Sequence, residues 1–224
     1  MVRKKKAGIF KSLIAILIAS PAMRLDISLH FGLIMNIVYI AENFASAMMY
    51  RSVWAATVTA YHSLFVIIRA YLIRSRRLSE MGEVSEGETR HICLRVGIIL
   101  LLLDFSALAL MLYTVRQNMH TEYSGVVLIG FLIYTVYSLV SSVHGMFRWF
   151  NDNKPLHFAT RNITFAAALM SLFNLQYSLL SSLGIDADSI SRATLAGGFA
   201  IFVTIILMSV HLIMKNVRSE ELSL

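Results

Sequence analysis

Six apolar stretches, each close to the roughly 20 residues that a helix needs to cross a hydrocarbon core, dominate this chain. They run from about Ser28 to Met49, Ser52 to Ile73, Ile92 to Val115, Gly125 to Phe147, Ile163 to Leu183 and Thr194 to Met214. No stretch alternates polar and apolar residues over a strand long enough to span a membrane, so a β-barrel is not expected. Only 15% of the 224 residues are charged, and only two are proline. Soluble domains carry about a quarter charged residues. The pattern therefore predicts an all-α fold, a polytopic membrane bundle of six transmembrane helices.

The basic residues orient it. Arg3, Lys4, Lys5, Lys6, Lys11 and Arg24 precede the first span. Arg74, Arg76, Arg77 and Arg90 lie between the second and third, and Arg148, Lys154 and Arg161 between the fourth and fifth. Lys215 and Arg218 follow the sixth. The other side has Arg51, Arg116 and Arg192. Positive residues stay inside, so both termini are expected in the cytoplasm and the protein in a plasma membrane, that of a bacterium. The net charge of +7 would suggest nucleic acid in a soluble protein. At the ends of apolar spans it points instead to anionic lipid headgroups on the cytoplasmic face, with no nucleic-acid partner.

Three regions follow: a basic N-terminus (1–27), the six-helix domain (28–215) and a short tail (216–224). In the first, a basic start and Ile9, Phe10, Leu13, Ile14, Ile16, Leu17 and Ile18 predict an amphipathic helix ended by Pro21. It is too short to span and is expected to lie on the inner leaflet. Tyr50-Arg51-Ser52 reads as a tight turn, and Arg74 to His91 as the longest loop.

Ionisable groups inside a span are costly, which makes each a candidate for function. Asp104 is central in the third span and His62 in the second, with Glu42 somewhat outward of centre in the first. Together these three are expected to bind protons or a cation. Asn36, Tyr39 and Asn43 recur at helical spacing and give the first span a polar stripe beside Glu42. With Asn174 of the fifth span they are candidates for a polar path. The competing reading of these amides is interhelical hydrogen bonding. Arg69 and Arg95 are expected to snorkel to the inner interface. The alternative makes them a basic vestibule for an anion, completed by His144 and His211.

Ser138 with Ser142, Ser178 with Ser182, and Ala196-Gly197-Gly198 with Ala200 are small-residue sets that let helices approach closely. Gly130-Phe131-Leu132-Ile133 faintly resembles Gly198-Phe199-Ala200-Ile201, a hint of internal repetition. HExxH, GxSxG and phosphate-binding glycine loops do not occur, so no catalytic residue, metal site or cofactor is assigned. The single cysteine, Cys93, excludes an intramolecular disulfide.

Several stretches resemble an uncharacterised group of small six-span membrane proteins from clostridia and related gut bacteria. They are Ser20-Pro21-Ala22-Met23-Arg24, Asn36-Ile37-Val38-Tyr39, the run from Val53-Trp54 to Ala60-Tyr61-His62, Ile133-Tyr134-Thr135-Val136-Tyr137 and Ala166 to Leu172. The resemblance implies the six-span topology and no catalytic residues, since the group has no assigned activity. The buried ionisable residues lead to an expectation of small-solute or ion transport, with proton coupling through them. The rival expectation is a non-transporting scaffold or partner subunit, such as the substrate-binding subunit of an importer. Self-association is open to the small-residue faces.

Overall fold

The computed structural model describes residues 21–116, 123–148 and 155–221, with the side chains of 21–29, 31, 146–148 and 218–221 outside that description. The interfacial helix expected before Pro21 therefore lies outside the described residues. The rest is helical: α1 (Pro21–Tyr50), α2 (Val53–Glu80), α3 (Glu86–Arg116), α4 (Gly125–Arg148), α5 (Pro155–Ser182) and α6 (Ala187–Glu221). All six are long and apolar enough to cross a membrane. The protein is a multi-pass, all-α membrane bundle.

The helices outrun the apolar stretches that announced them. Helix α3 starts at Glu86 and α5 at Pro155, and α6 runs on to Glu221. An apolar stretch measures where lipid is, whereas a helix continues for as long as its caps and charge pairs support it. Most of the expected Arg74–His91 loop is accordingly helix, and the connection shrinks to residues 81–85. Arg76 pairs with Glu80 one turn on at 2.8 Å, extending α2. Ser85 and Glu88 form a reciprocal capping box: the Glu88 amide donates to Ser85 Oγ, and the Ser85 amide donates to the Glu88 carboxylate.

The turn at the opposite end is as tight as expected. Arg51 takes a left-handed conformation (φ 49°) and Ser52 Oγ caps α2 by accepting the Ala55 amide. That end is tied together further: Tyr123 donates its amide to Ser182 Oγ, and Ser124 donates its amide to the Tyr50 hydroxyl.

Neighbour relations define two layers. Within them α1 packs on α2 and α2 on α3, then α4 on α5 and α5 on α6. Across them α1 meets α4, α2 meets α5 and α3 meets α6, with one diagonal between α3 and α5. Helix α5 touches four others and carries the most enclosed span. Its Ala166, Ala167 and Ala168 are fully buried. Small residues set the close approaches. A Cβ on Gly97 of α3 would come 2.8 Å from Ile213 of α6, and one on Gly198 would run into Met111. The faint repeat does not extend to environment: Phe131 is buried, while Phe199 is 67% exposed toward the lipid side.

Candidate functional site

The polar stripe of α1 faces inward at the seam between the layers. Asn36, Tyr39 and Asn43 are all buried there, and so is Asn174 of α5. Asn174 is the junction. It donates through Nδ2 to the Tyr39 hydroxyl at 2.6 Å and to Asn43 Oδ1 at 3.2 Å. It accepts the indole N–H of Trp54, from α2, at 2.9 Å. Asn43 also donates to the Tyr39 carbonyl one turn back. Tyr134 of α4 donates its hydroxyl to Asn36 Oδ1. Four helices are thus joined by side-chain bonds that cross the seam. The structure brings together all four polar-path candidates, with Trp54 and Tyr134 as partners.

Aromatic packing fills the space around these bonds. Tyr39 and Tyr134 stack at 4.0 Å between ring centroids and 11° between planes. The His62 ring meets the edge of Tyr39 at 4.7 Å, a T-shaped contact of the kind aromatic quadrupoles favour. His62 is fully enclosed, and neither ring nitrogen has a hydrogen-bond partner.

Asp104 sits elsewhere. It is fully enclosed on α3, both carboxyl oxygens lack a hydrogen-bond partner, and the hydroxyl of Tyr61 on α2 lies within electrostatic reach. The Tyr61 hydroxyl is likewise unbonded. Tyr61 and His62 are consecutive, about 100° apart around α2. One helix therefore presents an unbonded group toward Asp104 and the next residue toward the α1 network. Glu42 is half-buried against α4, where Gly130 makes room for it; a Cβ there would collide with its carboxylate. No hydrogen bond or ion pair joins Glu42, Asp104 and His62 to one another among the described residues.

Arg69 departs from expectation. It does not snorkel: it is 3% exposed, with its Nη1 placed so that a Cβ on Gly32 of α1 would lie only 2.9 Å away. A glycine on the facing helix leaves the groove that makes this burial possible, and no sequence reading pairs residues 32 and 69. The vestibule alternative is not assembled either, because Arg95, His144 and His211 are exposed. A different basic cluster, missed in the sequence, borders a cavity of about 500 Å³ at the α2–α3 turn. Arg76, Arg90, His157 and Lys215 line it together with Glu80 and Glu86. Lys215 caps the Phe158 ring at 4.4 Å, a cation–π contact between α6 and α5. No protein-family model, curated protein or solved structure matches the chain.

Proposed function

We propose that this protein carries a small solute or ion across the membrane, with Asp104 and His62 as its proton-exchanging groups. The observation that carries the reading is that both are fully enclosed among six spanning helices with no hydrogen-bond partner on any ring nitrogen or carboxyl oxygen. A carboxyl group held as mere helix glue would be bonded, because an unpaired polar group in a low-dielectric interior is costly. Groups that take up and release a proton or ligand must instead keep a free valence in one state of the cycle.

The architecture supports the same reading. Each layer holds three spans, so helices matched across the seam run antiparallel, the relation found in transporters built from inverted halves. The positive-inside pattern supports a plasma-membrane location with both termini in the cytoplasm. Glu42, Asn36, Tyr39, Asn43 and Asn174 are the further candidates for the path, with His62 packed against Tyr39.

Flux into proteoliposomes, followed with a trapped pH-sensitive dye under imposed ion and solute gradients, tests the proposal. Protein-dependent proton movement is expected, with Asp104→Asn abolishing it and Glu42→Gln reducing it. Flux unchanged in Asp104→Asn and His62→Gln would remove these residues from the mechanism. Absence of flux under every gradient would favour a scaffold or partner subunit, to be sought by affinity capture from native membrane.

A further inference from the structure

Arg69 is a permanent cation enclosed in the bundle without a counter-charge among the described residues. The guanidinium keeps its proton under all accessible conditions. No carboxylate lies within ion-pairing distance of it among the described residues, and its Nε has no hydrogen-bond partner. The titratable groups within its electrostatic reach are not carboxylates: they are Tyr134 and Tyr137 of α4, and His62 two turns earlier on α2.

A second unspent donor sits nearby. Asn36 is four residues beyond Gly32, on the same face of α1 that receives the Arg69 head group. Its Oδ1 is engaged by Tyr134, while its buried Nδ2 donates to nothing. Helices α1, α2 and α4 thus converge on a buried cation and an unspent amide N–H, with no carboxylate paired to either among the described residues. Isolated buried charges are retained where a partner completes them.

We propose that Arg69 and Asn36, flanked by Tyr134 and Tyr137, bind one small monovalent anion of the size of chloride. One positive charge sets the valence. The enclosure of Arg69, which is 3% exposed, favours a small ion over a lipid phosphate or a bulky organic anion. The site stands on this geometry alone and does not depend on the transport reading.

The test uses the full-length protein in an uncharged detergent, compared in sodium chloride and sodium gluconate at equal ionic strength. Chloride is expected to raise the unfolding temperature saturably, and radiolabelled chloride to bind at one ion per chain. Arg69→Gln should fold without chloride and lose both effects. Gly32→Ala keeps the charge but pushes the guanidinium aside, and should weaken chloride binding about tenfold. Identical unfolding in the two salts with no saturable binding would overturn the proposal, and so would chloride binding unchanged by Arg69→Gln. If Arg69→Gln fails to fold, Gly32→Ala decides by the same measure. One phosphorus per chain retained after delipidation, with no competition by chloride, would assign the charge to a lipid headgroup and overturn the free-anion site.

Discussion

Asn174 holds three partners from two other helices with one amide, so its loss is felt on all of them. Asn174→Leu keeps the volume roughly constant but strands the indole N–H of Trp54 and the hydroxyl of Tyr39 in a buried seam. The expected cost is about 2 kcal/mol, since interhelical bonds in membranes are individually modest while a stranded buried donor is not. Unfolding in mixed micelles reads it, and a loss no larger than that of Ser63→Ala, whose hydroxyl bonds only within its own helix, would show that the network is not structural. The α1 side of this network was legible, because Asn36, Tyr39 and Asn43 repeat at helical spacing. Asn174 was legible as well, as an amide inside an apolar span, but the indole and phenol that complete the network were not. Trp54 and Tyr134 are ordinary apolar-span residues until a facing helix supplies an amide. Arg69 was misread for the same reason: reach to the interface is a property of one helix, whereas the groove at Gly32 belongs to another.

Among the helices, α3 and α6 make the longest shared contact, and glycine sets its spacing. Gly198→Val should push α6 away from Met111 and Phe173 and destabilise the bundle by about 2 kcal/mol, as overpacking of a close-packed core generally does. Gly145→Val, where nothing lies within contact distance, should leave the unfolding temperature unchanged; equal losses at the two sites would contradict this packing. At the start of α6, Asp186 accepts the Ser189 amide at 2.8 Å, and that bond holds its carboxyl below the usual carboxylate range. Because the folded-state value is depressed, the cap is in place at neutral pH and is lost only as pH falls below the ordinary range for aspartate. The protection factor of the Ser189 amide, its exchange relative to the intrinsic rate at each pH, should therefore be highest near neutrality and fall in acid, and Asp186→Ala should remove that dependence. Element identity was readable throughout because lipid leaves a chain no unpaired backbone alternative. Element ends were not, since charged turns such as Arg76–Glu80 and Ser85–Glu88 prolong helices into water.

The whole molecule is two layers of three, and its sidedness can be measured directly. Cys93 is enclosed and its thiol should be silent to a membrane-impermeant maleimide. Single cysteines at Arg51 and Gly82 should label from opposite sides of intact cells, with Arg51→Cys the one reached from outside; the reverse pattern would invert the assigned orientation. The order of the layers was not visible in the sequence, because lipid-facing and layer-facing residues are alike apolar and only contacts distinguish α1·α4 from any other pair. One consequence concerns the bonds that cross between layers. Trp54, Tyr39, Asn43 and Asn36 contribute from one layer, Asn174 and Tyr134 from the other. A purely greasy contact would resist wetting along its whole length. A contact stitched by amides and phenols can be undone one stitch at a time, each broken bond taken over by an entering water molecule. The seam that fastens the two layers is thus also the line along which they are easiest to part.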